Sequence, residues 1–191
     1  MNKKIDAVVI GASTGGPKAL QVVLPNIESN IGVPVFVVQH MPKGFTKTFA
    51  DRLDKLCKLK VVEAQDGMNI ENNTIYIAQG GFHMIIGDDK RIKLNSEPPI
   101  WGVRPAVDKL FESAVKVYKG KLISAILTRM GRDGAQGTVI VKEAGGTTIS
   151  QNKETCTIYG MPKAAYETGK VDVVLPLDKI GQKISSIIKE R

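Results

Sequence analysis

The chain has 191 residues, of which 42% are hydrophobic and 24% are charged, and its formal net charge is +8. This length and composition predict one globular domain over residues 1–191 with a substantial core, and they argue against two domains. No segment approaches the roughly 18 consecutive apolar residues that a membrane-spanning helix needs, and the apolar run near the start is too short for a signal peptide.

The cysteines indicate the cellular compartment of the protein, and the distribution of charge indicates what kind of partner it binds. Cys57 and Cys156 lie far apart in no C-x-x-C or metal-ligand pattern, which suits a reducing cytoplasm, so we expect a cytoplasmic protein without metal or cofactor. Lysines and arginines are spread along the chain without a run, which argues against a nucleic-acid partner. The net charge predicts attraction to an acidic macromolecular partner.

The hydrophobic pattern predicts strands that alternate with helices. In chain order we predict a strand at 5–10, a helix at 17–23, a strand at 33–38, a helix at 44–57, strands at 59–62 and 74–78, a hairpin at 82–94, a loop at 95–105, a helix at 106–118, a strand at 122–127, a loop at 128–137, a helix ending at 144, a strand at 147–150, a helix at 162–168, a strand at 171–175 and a terminal helix from 178. The second helix carries an apolar stripe, predicted to be core, at Phe45, Phe49, Leu53 and Leu56.

This alternation predicts an α/β fold, a doubly wound three-layer sandwich with a mostly parallel sheet. The hairpin is the one antiparallel part. Ligands of such sheets bind at the carboxyl ends of the strands, so functional residues are expected there.

The first predicted strand runs into a glycine-rich turn, GASTGG, that carries Ser13 and Thr14. Its G-x-S-x-G spacing is typical of a sharp strand-to-helix turn that lifts a nucleophilic serine clear of the sheet. A phosphate-binding turn and an ordinary glycine-rich turn share these local features, although the full dinucleotide fingerprint is absent. The turn alone leaves the three interpretations open.

Two other residues follow predicted strands. His40 follows the second strand, and Asp133 lies in the loop after the strand at 122–127. If these strands are parallel, Ser13, His40 and Asp133 emerge at one edge of the sheet as nucleophile, base and orienting carboxylate. His83 is a rival base, but we favour His40 because it ends a buried parallel strand. Asp133 has a second interpretation, as the N-cap of the helix that follows it.

Two loops supply further candidates. The Met130-Gly131 backbone, beside Asp133, is a candidate oxyanion donor at the same edge. Residues 95–105 contain three prolines and Trp101, the only tryptophan, and predict an extended surface loop. An exposed Trp101 would serve substrate or partner contact, whereas a buried one would pin the loop to the core, and the sequence leaves both open.

Five blocks together carry a resemblance to a known family: IGASTGGPKAL, VVQHMPKGFTKTFADRLD, NSEPPIWGVRPAVDKLFESA, ILTRMGRDGAQG and QNKETCTIYGMPKAA. They look like the catalytic domain of the chemotaxis receptor methylesterases, the CheB family, and the resemblance covers nearly the whole chain. It implies a doubly wound α/β fold and a serine hydrolase of chemotaxis and phosphorelay signalling. Such an enzyme releases methanol from glutamyl methyl esters on the cytoplasmic helices of chemoreceptors. Many members also deamidate receptor glutamines.

Position by position, the resemblance implies roles for single residues. Ser13 matches the nucleophile, His40 the general base and Asp133 the orienting carboxylate of the family. The Met130 backbone N–H matches an oxyanion donor, and Thr14 matches a neighbour implicated in the same site. The order Ser, His, Asp differs from the α/β-hydrolase order, so the shared serine turn is convergent.

The sequence departs from the family pattern in two places. Arg129 stands where the family usually has glycine, and WGV at 101–103 stands where a small polar residue or histidine is frequent. Family members usually also carry an N-terminal receiver domain that occludes the active site until it is phosphorylated. Because the first predicted strand begins at Ile5, we expect a single catalytic domain without a receiver domain, either excised from a longer protein or a stand-alone esterase, and a separate receiver domain or regulator as a partner.

Two rival functions are kept beside the esterase. One is a non-catalytic phosphate or nucleotide binder that uses residues 11–16, and thermal stabilisation by a nucleotide would favour it. The other is a module that docks on acidic receptor helices with an inactive triad, and salt-sensitive receptor binding without turnover would favour that.

Overall fold

The structure, a computed structural model, describes residues 3–128 and 130–190. In chain order its elements are β1 (Ala7–Ala12), α1 (Gly16–Val23), β2 (Val35–Gln39), α2 (Thr46–Leu56), β3 (Lys60–Glu63), β4 (Thr74–Ile77), β5 (His83–Ile86), β6 (Ile92–Asn95), α3 (Val107–Tyr118), β7 (Leu122–Ile126), α4 (Ala135–Glu143), β8 (Thr147–Gln151), α5 (Met161–Glu167), β9 (Val173–Leu175) and α6 (Leu177–Lys189). Two short 3₁₀ turns, Leu24–Asn26 and Lys153–Thr155, were not predicted.

The described residues form a seven-stranded sheet in the order β3-β4-β2-β1-β7-β8-β9, and each of its strand pairs is parallel. Strands β5 and β6 pair antiparallel in a separate two-stranded sheet. The predicted fold class is confirmed, with the hairpin lying outside the main sheet. Among the described residues, no helix has both the length and the apolar character needed to cross a membrane.

Both faces of the sheet are covered, which makes the fold a three-layer sandwich. Along β1, Val8 and Ile10 belong to a core shared with α1, α2 and α6. Ala7 and Val9 point the other way, into a core shared with α3, α4, α5 and the hairpin. Because successive side chains of a strand alternate between its faces, a strand with two buried faces must be apolar throughout.

The apolar stripe of α2 is only partly core, so that part of the prediction is wrong. Phe49 and Leu53 are buried, but Phe45 is 60% exposed and Leu56 is 50% exposed. The helix begins at Thr46, so Phe45 precedes it, and Leu56 is its last residue. The buried apolar side chains of the helix lie in its middle, at Phe49, Ala50 and Leu53, and periodicity does not reveal where that burial stops.

The strand order places three connections at one point of the sheet. Strands β2, β4 and β3 lie on one side of β1, and strands β7, β8 and β9, which come later in the chain, lie on the other side. Ligands of open α/β sheets bind at such a reversal, outside the carboxyl ends of the strands. The loops that follow β1, β2 and β7 therefore meet where a site is expected.

Candidate active site

Ser13 lies in the turn between β1 and α1. Gly15 has a left-handed φ of 78°, and a Cβ atom placed there would come within 2.6 Å of Thr157 Oγ1, so the position requires glycine. The Gly16 N–H donates back to the Ser13 carbonyl at 2.5 Å, which closes the turn and uses a donor that a phosphate would need. These contacts favour the sharp serine turn over the phosphate-binding interpretation.

His40 lies beside Ser13 because their strands are in register. Ala12 pairs with Gln39, the last residues of β1 and β2, and the His40 backbone N–H donates to the Ala12 carbonyl at 3.1 Å. Ser13 and His40 directly follow these paired residues. The parallel alignment assumed from the sequence is thus present, and it puts the predicted nucleophile and base on neighbouring strand ends.

Asp133 meets His40 from the loop after β7. His40 Nε2 and Asp133 Oδ2 lie 2.7 Å apart, with 7% and 0% of the two side chains exposed. Asp133 Oδ2 also accepts the Val107 N–H at 2.6 Å, and Oδ1 accepts the Asp108 N–H at 2.9 Å. These two donors belong to the first turn of α3, so the positive end of that helix faces the carboxylate and fixes its orientation toward His40.

The sequence also allowed Asp133 to be the N-cap of the helix that follows it. It caps a helix, but a different one: its oxygens bind the first N–H groups of α3, while Gly134 is the N-cap residue of α4. Sequence position did not reveal this because α3 reaches Asp133 only through the fold.

His83, the rival base, has a structural role. It is fully buried, its Nε2 lies 3.0 Å from the Pro98 carbonyl oxygen, and its Nδ1 accepts the Ala106 N–H at 3.2 Å. Both ring nitrogens are therefore used to hold the loop between β6 and α3. His40 stays the predicted base.

Comparison with known proteins decides the family. The family model described as CheB methylesterase matches residues 8–184. The chain belongs to the CheB methylesterase family. The crystal structure of the Thermotoga maritima CheB methylesterase catalytic domain superposes with a TM-score of 0.92 at 45% identity, and the match covers 96% of this chain and 99% of that one. The resemblance seen in the sequence is confirmed.

Curated relatives bear a common name, protein-glutamate methylesterase/protein-glutamine glutaminase. The protein from Clostridium acetobutylicum is 58% identical over 97% of this chain and 54% of its own length. The protein from Pyrococcus abyssi is 46% identical over 93% of this chain and 49% of its own length. The chain thus spans about half the length of the curated relatives it matches.

Gln39 is a residue beside the candidate site that the sequence did not reveal. It is buried, and its Nε2 donates to the Ser13 carbonyl at 3.0 Å and to the His40 carbonyl at 3.3 Å. One amide therefore joins the main chains of the candidate nucleophile and base. The available signal was a polar side chain at the end of an otherwise apolar buried strand.

The loop after β7 brings Thr14 and Met130 to the same edge. Thr128 Oγ1 lies 3.2 Å from the Thr14 carbonyl oxygen, which ties this loop to the serine turn. Met130 is 66% exposed, and Gly131 follows it with a φ of 107°. The CheB-family oxyanion role of Met130 stays a prediction, and the departure at Arg129 lies outside the described residues.

Trp101 lines one of two recesses near the candidate site, and the next residue, Gly102, lines the other. The Trp101 side chain is 59% exposed, with the Arg132 guanidinium 5.8 Å from the ring centre, so the indole is not buried in the core. A groove of about 260 Å³, which we call the catalytic groove because it contains the candidate base, is lined by His40, Met41, Pro42, Gly102, Val103, Arg104 and Pro105. The α4–α5 cavity, of about 650 Å³, is lined by residues of both helices and by Trp101, Asp108, Gly131 and Arg132.

The two cysteines are not part of this site. Both are free thiols, and burial raises the pKa of Cys57 and of Cys156 to about 11. Thiols with such pKa values carry little thiolate near neutral pH and are poor nucleophiles. Within residues 3–128 and 130–190, no group of three or more histidines, cysteines and carboxylates is arranged to hold a metal ion.

Proposed function

We propose that the chain is a serine hydrolase that removes methyl esters from glutamyl side chains of chemoreceptors and releases methanol. The observation that carries the proposal is the 2.7 Å contact between His40 Nε2 and Asp133 Oδ2 at the strand ends where Ser13 also lies. The common name of the relatives specifies the same ester and, in addition, a glutamine amide. Activity, substrate and partners are proposed for this chain because it spans about half of those proteins.

The proposed acylation step uses the histidine in a defined orientation. With Asp133 ionised, His40 Nε2 donates to the carboxylate and the basic lone pair lies on Nδ1. Ser13 Oγ attacks the ester carbonyl carbon while His40 accepts the hydroxyl proton. The carbon–methoxy bond then breaks as His40 returns that proton to the departing oxygen, which leaves as methanol.

Deacylation repeats the proton transfers with water. His40 accepts a proton from water as the water oxygen attacks the acyl carbon, and the bond to Ser13 Oγ breaks as that oxygen regains the proton. The product is a glutamate side chain. With glutamine as substrate the same sequence releases ammonia in place of methanol, so one site serves both proposed reactions.

Two further residues have proposed roles in stabilising charge. The Met130 backbone N–H donates to the oxygen that becomes negative in the tetrahedral intermediate, as the loop position beside Asp133 supports. Thr14 holds the other side of this oxyanion region, which its link to Thr128 supports.

The partner is a methylated cytoplasmic helix of a chemoreceptor. A receiver domain, on the same chain or another, controls access to a single catalytic domain formed by residues 1–191.

The test measures methanol released from a methyl-esterified receptor fragment by the native chain and by Ser13→Ala. We expect Ser13→Ala to lower the rate by at least about 10⁴-fold, because the covalent step needs the hydroxyl. Ser29→Ala is the matched control: Ser29 is exposed, away from the strand ends, and its variant should keep the native rate. Native methanol release by a folded Ser13→Ala protein would refute the proposal.

A further inference from the structure

We propose that Asp108, which lies outside the triad, is a positioning residue that fixes Asp133 and Trp101 in their working arrangement through its carboxylate. The inference rests on the proposed function because it concerns the same reaction. Asp108 lies in the first turn of α3 and lines the α4–α5 cavity beside the catalytic groove.

Asp108 and Asp133 bind each other's helices in a reciprocal arrangement. The Asp108 N–H donates to Asp133 Oδ1 at 2.9 Å. In return, Asp108 Oδ1 accepts the Gly134 N–H at 3.0 Å and the Gly137 N–H at 2.7 Å, at the start of α4. The two helix N-termini are thereby held against one another. Asp133 lies between these two sets of hydrogen bonds, one to α3 and one to α4. The orientation of its carboxylate toward His40 therefore depends on both sets.

The same carboxylate also reaches the wall of the catalytic groove. Asp108 and Trp101 both line the α4–α5 cavity, and hydrogen bonding with the Trp101 side chain lowers the pKa of Asp108, a smaller effect than those that raise it. Trp101 lines the α4–α5 cavity, and the next residue, Gly102, lines the catalytic groove. Holding the indole therefore also holds the loop that forms one side of that groove.

The raised pKa of Asp108 distinguishes its carboxylate from an ordinary helix cap whose only role is stability. Burial, and then the nearby Asp133 carboxylate, raise the pKa of Asp108 to about 6, so its charge is unfavourable in the folded protein. Asparagine caps helices about as well as aspartate and would avoid that unfavourable charge. The charged and titratable groups around Asp108 are Asp133 with its partner His40, Arg132 from the same loop, and Lys163 and Glu167 from α5. A charge placed next to the triad at a cost in stability points to function.

The decisive variant is Asp108→Asn. It keeps one oxygen for the Gly134 and Gly137 N–H groups but removes the charge and the second acceptor. With the methyl-esterified receptor fragment we expect kcat to fall by about tenfold and KM to stay within about twofold, because the substrate contacts remain while the triad geometry loosens. The acid limb of the kcat–pH profile should become less steep, because the ionisation of Asp108 is gone while that of His40 remains.

Two further variants separate positioning from folding. Asp178→Asn makes the same change in the first turn of α6, on the opposite face of the sheet, and should keep the native kcat and pH profile. Asp108→Ala also removes the cap of α4 and should lower the melting temperature, whereas Asp108→Asn should not.

The outcomes separate the inference from the proposed function. A native kcat and a native acid limb in Asp108→Asn would overturn the inference while the activity of the native chain still stood. A loss of kcat matched by an equal loss of folded protein would overturn it as well. An inactive native chain would instead refute the proposed function.

Discussion

At the scale of single residues, the site is held together by polar side chains that each serve two elements. Asp133 lies 2.7 Å from His40 Nε2 and accepts hydrogen bonds from two N–H groups of α3, and Gln39 donates to the carbonyls of Ser13 and His40. The Asp133 oxygens and the Gln39 amide nitrogen are tolerated in a buried region because their hydrogen bonds are made, whereas Gln39 Oε1 is buried and accepts no hydrogen bond from the described residues. Loss of the Asp133 or Gln39 side chain would leave the groups that it binds without those hydrogen bonds. It would also shift the geometry of the candidate nucleophile or base.

Asp108 gives a pH-dependent prediction at this scale. Its pKa is raised from 3.8 to about 6 by burial and by Asp133, so between these values the folded state binds more protons than the unfolded state. Its contribution to the free energy of unfolding is therefore fully present below about pH 4 and lost as the pH rises through about 6. Asp108→Asn lacks this titration. Its stability relative to the native chain should rise over that interval and then level off.

Chemical denaturation at a series of pH values checks this prediction, with Asp178→Asn as the control. The difference in unfolding free energy between the native chain and Asp108→Asn is the measured quantity. A difference that is flat across the interval, or that changes in the opposite direction, would show that the Asp108 carboxyl is not destabilised by its surroundings.

The sequence predicted the residues of the site that carry a local signature and missed those whose role depends on contacts between elements. Ser13 lies in a recognisable turn, and His40 and Asp133 follow strands whose parallel arrangement could be inferred. Asp108 gave no such signal, because its carboxylate serves α4 while it sits on α3. The exposure of Trp101 likewise depends on neighbours that only the folded chain provides.

At the scale of elements, the central strand β1 and helix α3 are in unusually close contact. Gly11 is the point of closest approach, since a Cβ atom placed there would lie 2.6 Å from both γ-methyl groups of Val107. Val107 also supplies the N–H that binds Asp133 Oδ2. The absence of a side chain at Gly11 therefore sets how near the start of α3, and with it the candidate triad, lies to the sheet.

Gly11→Ala should destabilise the protein by about 1–3 kcal/mol, because the added methyl overpacks a filled core. The added methyl should also slow methanol release, since α3 moves away from Asp133. Val107→Ala keeps the N–H and makes room, so the double variant should be more stable than the sum of the single effects by about 1 kcal/mol or more. The free energy of unfolding is measured by denaturant titration for four proteins: the native chain, the two single variants and the double variant. These four values form a double-mutant cycle. Additive effects would mean that the two side chains do not compete for space.

The same glycine explains an error in the predicted boundaries. The first strand was predicted to end at residue 10 because glycine usually interrupts strands, yet Gly11 pairs with Val38 on one side and Ile126 on the other. Helix α4 likewise begins at Ala135, inside the predicted loop at 128–137. Element types and order followed from periodicity. The ends did not, because they are set by pairing and capping partners from distant parts of the chain.

At the scale of the whole molecule, the fold directs both the site and cationic side chains to the carboxyl edge of the sheet. Lys43 follows the end of β2 by a few residues and is exposed, and Arg132 precedes Asp133. With a net charge of +8, the molecule should attract an acidic partner over distances comparable to the Debye length, about 8 Å at physiological salt. An orienting effect requires that charge at this edge matter more than charge elsewhere.

A pair of charge reversals tests that requirement in the Ser13→Ala background, where the substrate binds but is not consumed. Lys43→Glu changes the carboxyl edge and Lys4→Glu the amino edge, where Lys4 is 70% exposed, and both alter the net charge equally. We expect the association rate with an acidic, methylated receptor fragment to fall with ionic strength. At low salt, Lys43→Glu should reduce that rate by about two- to fivefold, and more than Lys4→Glu does, because charges at the rim of an interface act mainly on the rate of encounter.

Stopped-flow association at several salt concentrations measures both effects. An association rate that does not depend on salt would exclude steering, and equal effects of the two reversals would mean that net charge alone, and not its placement at the candidate active site, guides the encounter.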